Sequence, residues 1–209
     1  MTANTRDVLN IIRERHSVRE YDPAYTIPQA EIEEMLTQAA YAPSSSNLQP
    51  WRFLVFQSEA QKEGLLSIAY NQSPIASCSA VIAVMGDTKM YQNVEKIYRS
   101  NFEAGNIDEV NTQRLIDSVN ETYPNLSREA RANIAAFDAG LISMQFMLIA
   151  KAYGYDTVTI GGFDKQKFAD TYDIEDRYMP IVLIALGKAA APAFGTTRLP
   201  LEDIVKFMQ

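Results

Sequence analysis

The segment REARANIAAFDAGLISMQFMLIAKAYGYDT, residues 128–157, limits the fold more than any other stretch of the chain. Ser127 stands before it as an N-cap and Gly154 supplies a stop, so the pattern predicts one long helix. From Ile134 to Ala150 it is apolar on nearly every face, interrupted mainly by Asp138, Ser143 and Gln145. A surface helix shows one apolar stripe, whereas one apolar all round must be covered all round. The cover comes either from the centre of a domain or from a second subunit, and the residues leave both open.

The rest of the chain supplies elements to pack around it. A helix is predicted over about 5–15, with Val8, Ile11 and Ile12 on one face. TIPQ at 26–29 has the form of a capping box and opens a second helix carrying Ile32, Leu36, Ala39 and Ala40. Strands are predicted near 52–57, 79–86 and 157–160 and in the apolar run MPIVLIALG, with short helices near 59–69 and 164–172. The stretch from about 88 to 124 is polar, helical in pattern and rich in Tyr and Phe. No repeat or glycine-serine linker divides the 209 residues, which suit one domain, 1–209.

Composition removes several function classes. A net charge of −7 argues against nucleic acid or an anionic membrane as partner. One cysteine and one histidine make neither an intrachain disulfide nor a His/Cys zinc site, and no metal is expected. Cys78 precedes the run SAVIAVMG and reads as a buried, inert thiol. The N-terminus has no apolar signal core and the longest apolar runs are about ten residues, so a soluble, cytoplasmic protein is expected. The glycine-rich nucleotide turns, the nucleophile elbow and the zinc-protease helix are missing. A Ser-His-Asp triad would need His16, whose flanking arginines disfavour the imidazolium it must form.

Four stretches concentrate polar groups. RERHSVREY places Arg15, His16, Ser17 and Arg19 where the first helix ends; two guanidiniums and a hydroxyl suit a phosphate, although basic residues also favour any helix C-terminus. YAPSSSNLQPWRF, residues 41–53, sets Ser44, Ser45, Ser46 and Asn47 between Pro43 and Pro50, a loop without glycine directly before a strand. TIGGFD offers Gly161 and Gly162, where no Cβ stands between backbone and a flat ligand, or simply a tight turn. Arg198, in TTRLP, is a further phosphate donor late in the chain.

Taken in order, RHSVREY, APSSSNLQPWRF, GGFD and RLP resemble the FMN-dependent nitroreductase family over nearly the whole chain. The resemblance implies an α+β fold with a mostly antiparallel sheet flanked by helices, in an intertwined homodimer with two FMN molecules at the interface. The long helix would then form the dimer core, and the tail from about 189 would wrap the partner subunit. By the same resemblance Arg15, Ser17 and Arg198 contact the FMN phosphate, with His16 against the cofactor. Arg19 sits near flavin N1 and O2, where positive charge stabilises the reduced ring. Pro43, Ser44, Ser45 and Asn47 serve the partner's flavin, Asn71 the ring edge, and the Gly161 and Gly162 amides the N5 and O4 positions. Some relatives carry a glutamate at the first of these glycines, a lysine at Thr196, and Pro-Met where Thr159-Ile160 stands here.

The implied activity is ping-pong hydride transfer from NADH or NADPH to a nitroaromatic, quinone or activated alkene. The implied alternatives are dehalogenation, azoline oxidation or flavin breakdown within the same superfamily, or a flavin carrier or sensor without turnover. Tyr70, Tyr91, Tyr98, Phe102 and Tyr123 are candidates for the substrate wall or for core.

Overall fold

The computed structural model describes residues 5–208. The chain runs α1 (Thr5–Glu14), α2 (Gln29–Ala39), β1 (Trp51–Phe56), α3 (Glu59–Ile68), α4 (Ser73–Ser77) and β2 (Ala80–Asp87). It continues through α5 (Val94–Glu103), α6 (Glu109–Thr122), α7 (Arg128–Ala152), β3 (Asp156–Ile160), α8 (Lys165–Thr171), β4 (Tyr178–Gly187) and α9 (Leu201–Ile204).

The four strands form one sheet in the order β1-β2-β4-β3, with every neighbouring pair antiparallel. β2 and β4 are central and read as continuous apolar runs because both of their faces are covered. Val81, Ala83, Leu183 and Ala185 face a core closed by α3 and α8, where Phe56, Phe163 and Phe168 pack edge to face. Ile82, Val84, Ile184 and Leu186 face the opposite core, closed by Ile32 and Met35 of α2 and by Ile142 and Phe146 of α7. A third cluster, including Leu48, Met90, Tyr98, Ile116 and Tyr123, lies under α5 and α6.

α7 has the predicted cap, with Ser127 Oγ accepting from the Ala130 N–H at 3.1 Å. Its stop is Gly154 at φ +79°, a left-handed conformation that favours glycine. By length and composition it is apolar enough to cross a membrane, which the short apolar runs of the sequence had not signalled. Within this chain it is buried on one face only. Ala135, Asp138, Ala139, Ile142, Phe146 and Ala150 point inward, while Phe137 is 64% and Met144 39% exposed.

The capping box expected at Thr26 is absent. Pro28 is the N-cap residue of α2, which leaves Thr26 outside reach of the first turn, and Gln29 bonds Glu33 instead at 2.7 Å. The chain's capping box is at Ser58 and Gln61, opening α3. The polar segment before α7 divides into α5 and α6 near Gly105, at φ +72°.

Candidate functional site

The segment after α1 runs along the outer edge of β3. Ser17 bridges Thr157, and the Val18 N–H donates to the Thr157 carbonyl at 3.2 Å. Tyr21 pins the segment from below: the carbonyls of Val18 and Ala185, at 2.8 and 3.2 Å, share its one hydroxyl proton. Its ring lies on Gly187, where an added Cβ would stand 2.9 Å from Cδ1. Burial, first of all, drives the Tyr21 hydroxyl far above its ordinary value, so it remains a proton donor.

At this edge two buried polar atoms lack partners among the described residues: Arg15 Nε and Thr157 Oγ1. Such groups cost about 1–3 kcal/mol each if nothing meets them. His16 and Ser17 are half-buried beside them, and Arg19 is exposed with its guanidinium bonded, among the described residues, to the Ser17 carbonyl at 3.2 Å. Thr157 was not singled out in the sequence, where it is one more polar position in a short strand.

The same strand leads into Gly161 and Gly162. An added Cβ at Gly161 would meet nothing within 4 Å, and at Gly162 only Gln72 Nε2 at 3.8 Å. Neither glycine has a positive φ, so neither fold nor turn requires it. Gln72 Nε2 donates to the Gly162 carbonyl at 2.7 Å, tying this turn to the loop that presents Asn71. Tyr70 and Asn71 are both exposed and left-handed, at φ +54° and +56°. Thus the structure brings together Arg15, His16, Ser17, Arg19, Asn71, Gly161 and Gly162 along one edge.

The loop before β1 is a second, separate construction. Ser46, Asn47 and Gln49 all adopt positive φ, of 47°, 51° and 48°, at a cost of about 1 kcal/mol or more each. Neighbours hold it there. Asp138, fully buried on α7, accepts from the Ser45 N–H at 3.1 and 3.0 Å and from its hydroxyl at 3.0 Å. Tyr98 donates to the Ser46 carbonyl at 3.1 Å, and the Tyr123 hydroxyl meets Ser46 Oγ at 2.9 Å. Tyr98 and Tyr123 are therefore buried supports of the loop rather than an exposed wall. Ser44 Oγ accepts from the Gln49 N–H at 3.1 Å and keeps its own proton to donate. Asn47 accepts from Gln49 Nε2 at 3.3 Å and keeps its amide protons. The Ser45 hydroxyl proton, by contrast, is already committed to Asp138.

The two constructions do not meet within the chain. Trp51 is level with Gly86 and Met179, at one end of the sheet; Thr157 is level with Leu186 and Ala80, at the other. Strand spacings of about 4.8 Å and a rise of about 3.3 Å per residue separate them by more than about 20 Å. Arg198 also stands apart: its guanidinium bonds Thr196 Oγ1 and the Thr197 carbonyl, both at 2.8 Å, and it is exposed.

An antiparallel sheet flanked by helices, in the strand order β1-β2-β4-β3, is the fold of the nitroreductase-type oxidoreductases. The model of the nitroreductase family matches residues 12–188, and the chain belongs to that family. It is 42% identical over 198 residues to YodC of Bacillus subtilis (strain 168), provisionally named an NAD(P)H nitroreductase; the match covers 95% of this chain and 97% of that one. It is 31% identical over 205 residues to the CLA biosynthesis enone reductase of Lactiplantibacillus plantarum, covering 97% and 94%. A provisionally assigned nitroreductase of Exiguobacterium sibiricum, solved in complex with FMN, superposes with a TM-score of 0.94 at 40% identity, covering 100% of this chain and 99% of that one.

Proposed function

We propose that this protein is an FMN-dependent oxidoreductase that draws on NADH or NADPH and works as a cytoplasmic homodimer of one-domain chains. The observation that carries the reading is the pair of unpartnered buried atoms, Arg15 Nε and Thr157 Oγ1, beside Ser17. A phosphate beside Ser17 would give Arg15 Nε its missing partner, and the guanidinium matches phosphate geometry. The open space at Gly161 and Gly162 leaves room for a flat ring a few residues further along the same edge. An FMN complex in the Exiguobacterium relative supports the same assignment.

In this reading Arg15, Ser17 and Arg198 hold the phosphate, His16 lies against the cofactor, and Asn71 with the Gly161 and Gly162 amides borders the ring. Arg19 contributes positive charge where the reduced ring carries negative charge. FMN would supply the redox chemistry, taking a hydride from NADH or NADPH and then giving two electrons to a nitroaromatic, quinone or activated alkene in a ping-pong cycle. The name of the Lactiplantibacillus relative supports an activated alkene among these acceptors.

Pro43, Ser44, Ser45 and Asn47 serve a second chain's flavin. A ribityl chain leaves its phosphate directly, so groups that touch both must lie close together. In one chain the two sets stand at opposite corners of the sheet. The open face of α7, with Phe137 and Met144, and the tail's exposed Phe194, Leu199, Ile204 and Phe207 support a second copy as the cover. Anaerobic mixing with NADH and with NADPH tests the function: the yellow protein should bleach within seconds with at least one of them. A protein that stays colourless after incubation with FMN would contradict it.

A further inference from the structure

A cleft of about 540 Å³ opens beside Asn47, between the loop leading into β1 and one side of α5. Asn47, Gln49 and Arg52 line one side and Asn93, Lys96 and Asn101 the other, with no carboxylate in the lining. This is unusual composition for a chain of net charge −7. Behind the cleft, Asp87 is fully buried between two guanidiniums. Arg177 donates Nε and Nη2 to it at 2.9 and 2.6 Å, and Arg52 Nη2 stands 3.7 Å away. Of these three groups, Arg52 is the one that lines the cleft.

The wall is held in place. Arg52 Nη1 donates to the carbonyls of Gln49 and Trp51 at 3.2 and 2.7 Å, and its Nη2 to Asn93 Oδ1 at 3.3 Å. Asn93 Nδ2 in turn donates to the Leu48 carbonyl at 2.9 Å. Lys96, one turn further along α5, has neither ion pair nor hydrogen bond among the described residues, and the Asn101 amide is likewise unengaged. A fixed polar wall with one uncommitted ammonium suits an oxyanion, whereas a flat apolar acceptor gains little from it. The chain also lacks the glycine-rich turn with which dinucleotide folds meet a pyrophosphate.

We propose that this cleft is the subsite for the phosphate groups of the nicotinamide nucleotide donor, with Lys96 as its main charge, the Arg52 guanidinium as a fixed second charge and the Asn101 amide as a hydrogen-bond donor. The inference rests on the flavin oxidoreductase reading, since it places the donor's phosphates beside a loop that reading assigns to the flavin. Lys96 is exposed on a helix, so its replacement leaves the fold intact.

The test compares two donors in anaerobic stopped-flow reduction of the bound flavin. NADPH carries the phosphates; N-benzyl dihydronicotinamide carries the reducing ring without them. The ratio of the NADPH KM to the neutral donor's KM should rise about threefold in Lys96→Ala and about tenfold in Lys96→Glu, and return in Lys96→Arg. Added salt should raise the NADPH KM of the unaltered protein more than that of Lys96→Ala. An unmoved ratio in Lys96→Glu, with both donors still reducing the flavin, overturns the subsite alone. Failure of both donors to reduce the unaltered protein overturns the parent reading, and the two failures are thereby distinct.

Discussion

Asp138, fully buried in the middle of α7, accepts hydrogen bonds from both the backbone N–H and the hydroxyl of Ser45, at 3.0–3.1 Å. One carboxylate thereby couples the helix that organises the sheet to the loop that offers Ser44 and Asn47. Replacing Asp138 by Ala leaves the half-buried Ser45 donors without a partner, and we expect a loss of about 1 kcal/mol in urea unfolding. Flavin retention should fall with it, because the left-handed backbone at Ser46 and Asn47 would relax.

The same carboxylate gives a pH signature. Burial, outweighing the Ser45 hydrogen bonds, raises the Asp138 pKa above its ordinary value. A carboxyl raised in the fold binds its proton more tightly there than in the unfolded chain. Its ionisation therefore removes stability as the pH climbs from the unfolded value, about 4, through the raised one. Asp138→Asn cannot ionise. The stability advantage of the unaltered protein over Asp138→Asn should shrink with rising pH across that window, as read from urea melts.

Cys78 is 1% exposed, and burial chiefly pushes its thiol up to about 11. At pH 8 roughly one thiol in a thousand is ionised. A thiol reagent should leave the native protein untouched over minutes and label it at once in denaturant. Rapid native labelling would show that the cover over β2 opens readily.

Arg19 and Arg198 are expected to divide their roles. Arg19 reaches out from the edge that carries Gly161, whereas Arg198 lies on the tail. Arg19→Ala should slow flavin reduction more than it weakens FMN binding, and Arg198→Ala should do the reverse. Stopped-flow rates and FMN titrations separate the two effects; equal changes would contradict the division.

Much of this was legible in the sequence where local chemistry decides. Ser127 caps α7 because its side chain needs only the next turn, and β2 and β4 show their double burial as unbroken apolar runs. Thr26 misled because a capping box is a matter of register, and Pro28, with its fixed φ, took the N-cap position. Asp138 read only as an interruption in an apolar helix, since its partner lies 93 positions away. Tyr98 and Tyr123 looked like wall candidates for the same reason: the loop they support reaches them only through the fold. The family motifs picked out both groups of residues that the proposed site needs. Only the strand register shows that one chain holds them too far apart to share a ligand.

That separation is the central claim, and subunit mixing tests it most directly. Arg15→Ala with Ser17→Ala breaks the edge half, and Ser44→Ala with Asn47→Ala breaks the loop half. Each altered protein alone should retain little FMN. Unfolded together and refolded at equal amounts, they should recover FMN at about a quarter of all sites, because each mixed pair contains one site built from two intact halves. No recovery on mixing, with both chains refolded and paired, would contradict a site shared between subunits.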